Sequence, residues 1–361
     1  MAHYKISDVA EEVKDRENNP SESKYDRFVG LEHYVSGDVE ITHFGSTERL
    51  ESAMKVFKAG DILIARRNVY LKRASTVSFD GLTSGDSIVL RAKDPTIARI
   101  LPFVLNTDDF WDYADQYSDG TMSKRLSPKL LLAYEFDLPD DGLEDFADLL
   151  WAANETRNSY RELLRQTDEL VKSQFIEMFE GHGYEVLKAQ SFMTNMRNGV
   201  SPSKKGVHAE KVLTLSAVTQ GAFDPEAWKD GIFDECPPPD KRISPSEFYM
   251  CRGNGNKKLV GTAVYSPEER PDLVFPDTVI AAHVDSSVVL LPYLFIAWKM
   301  PMVREQIESS ARTTNGTYKI NQTVLSNVEL IVPPIDKQAE FVSFVEQSDK
   351  SKHSYHIRKN T

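Results

Sequence analysis

The stretch GLEDFADLLWAANETRNSYRELLRQTDELVKSQFIEMFEG, Gly142 to Gly181, decides the architecture. Phe146, Leu150, Ala153, Tyr160, Leu164, Val171 and Met178 recur in it at spacings of three and four or their sums, and Arg157 and Thr167 occupy slots on the same stripe. One narrow apolar seam with charge elsewhere is the pattern of a single long helix. Pro139 before it and Gly181 after it punctuate the two ends in the expected order. At 1.5 Å per residue the helix would be a rod of about 60 Å, and so narrow a seam requires a partner helix.

The partner is found by looking for repetition. DGTMSKRLSPKLLLAYEFDLP (Asp119 to Pro139) precedes the long helix, and NGTYKINQTVLSNVELIVPP (Asn315 to Pro334) precedes a second helix starting near Asp336. Both read Gly-Thr, a polar stretch, an alternating apolar strand, proline, then helix. Upstream, GDILIARRN (Gly60 to Asn68) echoes SEFYMCRGN (Ser246 to Asn254), and LPF at Leu101 echoes LPY at Leu291. Four echoes in order describe a tandem duplication. Each unit is a mixed α/β globule followed by a helix, and the second helix carries Phe341, Val345 and Tyr355 on one stripe. If each globule touches DNA, the rod fixes how far apart the two contacts lie.

The whole chain agrees with this plan. Its 361 residues suffice for two ordinary domains, and 40% apolar with 27% charged residues is a globular composition. The first twenty residues lack the apolar core of a signal peptide, and the longest apolar run, Val288 to Trp298, is too short to span a bilayer. It reads as core or a buried helix start. Two cysteines, Cys236 and Cys251, make no CxxC pair, so a disulfide scaffold or zinc module is not expected, and a reducing cytoplasm is.

Charge needs a closer reading. The net charge of −12 argues against nucleic acid. Yet the segment from Asp140 to Glu180 holds eleven acids and four bases, a balance of −7 that leaves only −5 for the rest. ARRNVYLKR, Ala65 to Arg73, then stands out with four cations in nine residues.

Catalytic signatures are missing. The sequence holds no GxxxxGK[ST], no GxGxxG after a strand, no HExxH and no Asn/Asp-Pro-Pro-Tyr/Phe tetrapeptide. None of the eight histidines pairs with cysteine or carboxylate at metal-ligand spacing, and His283, in an apolar stretch, reads as a core histidine. The acid pair Asp140-Asp141 suits a helix start and needs no catalytic role.

FVGLEHYVSGDVEI (Phe28 to Ile41), GDILIARRNVYLKRASTVSFDGLTSGDSIVLRA (Gly60 to Ala92) and TDELVKSQFIEMF (Thr167 to Phe179) resemble the specificity (S) subunit of type I restriction–modification systems. So do NGVSPSKKG (Asn198 to Gly206), VLTLSAVTQGAFD (Val212 to Asp224), FYMCRGNGNKKLVGTAVY (Phe248 to Tyr265) and VPPIDKQAEF (Val332 to Phe341). The resemblance implies a mixed α/β (α+β) fold with two tandem target-recognition domains and an internal pseudo-twofold repeat. The boundaries would be 1–139 and 182–335 for the domains, with long antiparallel coiled-coil helices at 140–181 and 336–361. Each half would read one part of a split site on double-stranded DNA. The chain itself would be non-catalytic and cytoplasmic, with no membrane contact. It would dock two modification subunits that bind S-adenosylmethionine and methylate adenine N6. Two restriction subunits, using ATP and magnesium, would complete the assembly, and no cofactor would belong to this chain.

Base reading calls for forked donors and amides at loop tips, with other cations on phosphates. The candidates in the first half are Arg66, Arg67, Asn68, Tyr70, Lys72 and Arg73, then Ser84 and Lys124. Those in the second half are Asn198, Ser201, Ser203, Lys204 and Lys205, then Arg252, Asn254, Lys257, Asn315 and Lys319. Strand alternation would put Tyr70 and Lys72 on one face and Leu71 and Arg73 on the other. Arg66 and Arg252 recur at equivalent places, as base readers or as halves of a shared structural salt bridge. From Asp336 about 26 residues remain, roughly 39 Å of helix, so the second helix is expected to be short and to leave part of the seam exposed. The alternative reading is a coiled-coil assembly scaffold with inactive recognition domains.

Overall fold

The computed structural model describes residues 1–120, 123–203, 205–314 and 316–356. The chain divides into two compact units, Met1–Tyr160 and Arg161–Thr361, and the division falls inside the helix Leu143–Phe179.

In the first unit a four-stranded antiparallel sheet runs Ala10–Val13, Ser87–Ala92, Ile62–Ala65, Ala74–Thr76 in spatial order. A second sheet runs Arg16–Glu17, Met54–Phe57, Gly81–Thr83, Arg27–Val29, Gly45–Ser46, with one parallel pairing between Gly81–Thr83 and Arg27–Val29. A two-stranded ribbon joins Ala2–Lys5 to Glu135–Leu138.

The second unit repeats this order. Its four-stranded sheet runs Met193–Asn198, Val279–Val284, Glu247–Cys251, Ala263–Tyr265. Its other large sheet runs Arg242–Ile243, Arg270–Val274, His208–Leu213, Trp228–Phe233, again with one parallel pairing, His208–Leu213 on Arg270–Val274. Val186–Lys188 pairs with Glu329–Ile331 as the ribbon. Each unit also places three helices between its last long strand and the ribbon: Pro95–Val104, Asp108–Tyr117 and Pro128–Ala133 in one, Leu291–Ala297, Pro301–Ser310 and Gln322–Ser326 in the other. The internal duplication is therefore one of topology in the two large sheets and the ribbon; Arg16–Glu17 is added in the first unit, and in the second the sheet Gly253–Asn254, Thr317–Lys319, Arg312–Thr314 stands where the first has isolated bridges.

The period of two explains why the central strand of each unit carries an unbroken apolar run, Ile62–Ala65 in one and Phe248 to Cys251 in the other. Ile62 and Ile64 point into one cluster with Ile88 and Leu90, while Leu63 and Ala65 point into another with Val89. Phe248 and Met250 likewise face one cluster, and Tyr249 and Cys251 the other. A strand buried on both faces has no polar side to alternate with. The run from Val288 to Trp298 holds the whole of a short helix, Leu291–Ala297, with Tyr293, Leu294, Ala297 and Trp298 all in the core.

Three details differ from the sequence expectation. The LPF and LPY echoes both fall in the first helix after the long strand, but Pro102 lies inside its helix and Pro292 in the first turn. The motif therefore matched the right element in different registers. Ala153 is exposed, and the seam of the long helix passes through buried Ala147 and Asn154 to Val171, Phe175 and Phe179, with Phe146, Leu150, Tyr160, Leu164 and Met178 half-buried. A straight helix drifts from a strict heptad, which carries the buried line to neighbouring positions. His283 is exposed at a strand position, with its Nδ1 3.9 Å from Glu247 Oε1, and is not a core histidine.

The second long helix, Ile335–His356, seats Phe341 against Phe175 and Phe179 at the end of the first. The side chain of Tyr355 lies outside the described residues. Among the described residues, no helix is long and apolar enough to cross a membrane.

Candidate nucleic-acid interface

The basic stretch after Ile62–Ala65 is a folded loop, which corrects the expected strand alternation. Ala65 N donates to Arg73 O (3.0 Å), closing a hairpin, so Arg66 to Lys72 form its tip. Within the tip, Val69–Leu71 makes a 3-10 turn between Asn68 (φ 56°) and Lys72 (φ 47°), both left-handed. Asparagine takes this conformation at little cost; lysine does so only under constraint from its surroundings. Tyr70 projects from the turn, 65% exposed. Arg73 points inward, donating to Leu31 O (3.1 Å) and Arg67 O (3.0 Å), and burial lowers the pKa of its guanidinium. Arg73 thus braces the loop from within.

The segments 84–86 and 123–126 complete the tip. Asn68 Oδ1 accepts from Ser123 Oγ (2.8 Å), and Asn68 N donates to Lys124 O (3.0 Å). Ser84 and Gly85 form the turn before Ser87–Ala92, where Ser84 Oγ accepts from Asp86 N (3.3 Å). The loops thereby bring together Arg66, Arg67, Asn68, Arg73, Ser84 and Lys124. Tyr70 and Lys72 sit on the far side of the 3-10 turn, with Lys72 paired to Asp108. That hydrogen bond raises the pKa of Lys72 and lowers that of Asp108.

The same backbone frame recurs in the second unit. Arg66 N donates to Asp86 O (2.9 Å) and Arg66 O accepts from Leu126 N (2.8 Å); Arg252 N donates to Thr278 O (2.8 Å) and Arg252 O accepts from Ile320 N (2.9 Å). Ala65 N to Arg73 O is matched by Cys251 N to Thr262 O (2.8 Å). Arg66 and Arg252 therefore occupy one structural node twice. Neither forms an ion pair among the described residues, which removes a shared salt bridge as the reason for the recurrence. Among the described residues, the Nε of Arg66 is buried without a hydrogen-bond partner, and Arg252 Nη1 donates to Asp277 O (3.1 Å).

Around Arg252, the strand Gly253–Asn254 pairs with Thr317–Lys319, which brings Lys319 opposite Gly253. Asn254 Oδ1 accepts from Asn256 N (2.8 Å), shaping the turn that exposes Lys257. Asn198 reaches this region too, its Oδ1 accepting from Gln322 Nε2 (3.2 Å). Ser201, Ser203 and Lys205 belong elsewhere, on a loop tied to the second sheet by Ser203 N donating to Ile232 O (2.7 Å). Lys204 and Asn315 lie outside the described residues.

Sequence reasoning missed the counter-ions. Asp86 bridges Arg67 (3.3 Å) and Arg125 (3.0 Å), and Asp115 holds Lys124 (2.6 Å). The acids come from distant segments, and nothing in the local pattern announces them. At the position where the first unit supplies the Asp86 carbonyl, the second supplies Thr278, so no carboxylate stands there. In the first tip Arg67, Lys124 and Arg125 are paired with acids while Arg66 is not, and among the described residues the cations of the second tip have no such counter-ions. Among the described residues, no group of three His, Cys, Asp or Glu side chains is placed to hold a metal ion.

No protein-family model matches the chain. A curated relative, the type I restriction enzyme EcoKI specificity subunit of Escherichia coli strain K12, is 28% identical over 170 residues, 45% of this chain. The chain spans only 36% of the length of that relative. Among solved structures, the type I restriction–modification S subunit from M. genitalium matches at 12% identity and a TM-score of 0.50, over 99% of this chain and 91% of that one. A chain from a structure of type I complex assembly and conformational transition matches at 16% identity and a TM-score of 0.42, over 99% and 92%. With its repeated strand order and its long helix, the chain has the fold of the specificity subunits of type I restriction–modification systems.

Proposed function

We propose that the chain is the DNA sequence-recognition subunit of a type I restriction–modification complex, without catalytic chemistry of its own. One observation carries this reading: the node at Arg66, where a basic loop is held by the segment leading into the long helix, is built a second time at Arg252. Two similarly framed tips in one chain suit a divided DNA site, each unit reading one part. The four domain segments would be those read from the sequence, 1–139 and 182–335 as target-recognition domains with helices at 140–181 and 336–361.

Chemistry would come from partner chains. Two modification subunits would supply S-adenosylmethionine and transfer methyl groups to adenine N6, and restriction subunits would supply ATP hydrolysis and magnesium-dependent cleavage. The cytoplasm, where such a complex meets DNA, is the compartment this reading requires.

Co-expression with a modification subunit, followed by mapping of methylated adenines, tests it. The expected result is a two-part motif separated by a fixed number of unread base pairs. An active modification subunit that leaves no such motif would overturn the reading.

A further inference from the structure

The first unit answers its own positive charge, with Asp86, Asp108 and Asp115 each ion-paired to a cation of its basic loops. The second does the opposite. An open cleft of about 560 Å³ is lined by Arg252, Arg312 and Lys319 together with Ser309, Ser310 and Asn321. Among the described residues no carboxylate lines it, and none of the three cations makes an ion pair.

Their placement is built into the backbone. Arg312 and Lys319 are directly opposed across the antiparallel pair Arg312–Thr314 and Thr317–Lys319, which puts both side chains on one face. Like charges directly opposite one another on a sheet are destabilising. Arg252 is fixed beside them by the hydrogen bond from Ile320 N to Arg252 O. Arg312 and Lys319 form a repulsive pair with Arg252 on the lining beside them, its Nη1 donating to Asp277 O (3.1 Å), and among the described residues no carboxylate pairs with any of the three.

We infer that this cleft holds a backbone phosphate of duplex DNA, gripped by Arg252, Arg312 and Lys319. A phosphate suits the site better than a base edge does. The lining offers point charges and hydroxyls from two directions but no aromatic platform, and it opens to solvent where a backbone can pass. The inference rests on the DNA-recognition reading and adds a role to it: the second unit carries a ready phosphate grip, while in the first Arg67, Lys72, Lys124 and Arg125 are already engaged by acids.

The test uses the full chain with the exposed substitutions R312A and K319A, and the conservative R312K. Binding of a fluorescent duplex of arbitrary sequence is followed by anisotropy from 50 to 200 mM NaCl. Each alanine variant is expected to lower the slope of log K against log salt by about one phosphate's worth, so that the loss of affinity across that range shrinks by about 3.5-fold. The loss should be the same for unrelated sequences, R312K should keep the wild-type slope, and melting temperatures should stay level or rise as repulsion is relieved.

An unchanged slope in both alanine variants would overturn the assignment. So would a competition by orthophosphate, at constant ionic strength, that depends on Arg312 while the DNA slope does not; that pattern would mark a free-phosphate site. A wild-type chain that binds no duplex overturns both this inference and the recognition reading. Normal methylation of a two-part site with unchanged slopes overturns this inference alone.

Discussion

Replacing Phe341 by alanine should remove the main anchor of the second long helix. The ring is fully buried, with centroids 5.6 Å from Phe175, 5.4 Å from Phe179 and 6.1 Å from Tyr293. Its neighbours cannot close the gap cheaply. Tyr293 is held by a hydrogen bond from its hydroxyl to Ile331 O (2.8 Å), and buried Gln338 pins the same helix turn to Val288 O and Pro333 O. A phenylalanine removed from so constrained a site costs about 3–5 kcal/mol, combining lost transfer energy with an unfilled cavity. In a unit of about 200 residues that corresponds to a fall in melting temperature of roughly 6–20 °C. Calorimetry of the full chain would register it as an earlier transition of the second unit. Tryptophan fluorescence would follow both units, since Trp111 and Trp151 lie in the first and Trp228 and Trp298 in the second. A loss below about 1 kcal/mol would refute the reasoning, because it would mean that the aromatic cluster holds together without its central ring.

Substituting Asp86 by asparagine should free Arg67 and Arg125 at a stability cost below about 1 kcal/mol, steepen the salt dependence of duplex binding and tighten it; an unchanged slope would show that the acid does not restrain those cations. The Glu210–Arg242 pair (2.8 and 2.9 Å) holds the Glu210 carboxyl below its usual value of 4.5. The folded state therefore takes up this proton later than the unfolded chain does, and the stabilisation is complete above about pH 4.5 and lost as pH falls through the folded value. Denaturant melts should show the wild-type advantage over E210Q constant from pH 6 to 8 and shrinking in acid; a pH-independent difference would contradict the pairing. Burial pushes the Cys251 thiol up to about 11, whereas Cys236 is exposed. One thiol should accordingly react with a disulfide reagent at pH 8 in the native chain and two in denaturant, and fast reaction of both would count against the burial.

What could be read from the sequence was whatever repeats at short range. The spacing along the long helix announced it, and the apolar runs ILIA and FYMC announced the central strands, because burial on both faces leaves a continuous apolar word. The duplication was legible in Arg-x-Asn after each strand, since both copies must turn at the same node. Where the reading failed, a distant residue had intervened. Alternation extrapolated the strand past Ala65, yet the bond from Ala65 N to Arg73 O had already turned the chain. The spacing puts Arg157 on the helix seam without giving its reason for being there: it donates to Gly37 O (3.1 Å) and to the buried Asn154 Oδ1 (2.7 Å), and the loop it grips is far away in sequence. The counter-ions Asp86, Asp108 and Asp115 were invisible for the same cause. So was the cleft at Arg312, whose significance depends on what stands across the strand from it.

Each candidate reading tip is framed by amide and carbonyl groups: Arg66 and Arg252 are both fixed through their main-chain N and O, and only Arg252 adds a guanidinium bond, to Asp277 O, among the described residues. Any residue but proline can make those two bonds. The alphabet displayed at a tip is thus uncoupled from the frame that displays it, and a change of side chain there leaves the sheet and helix contacts intact. If the tips read DNA as proposed, a few substitutions in one unit would give the chain a new address while the other unit went on reading the old half.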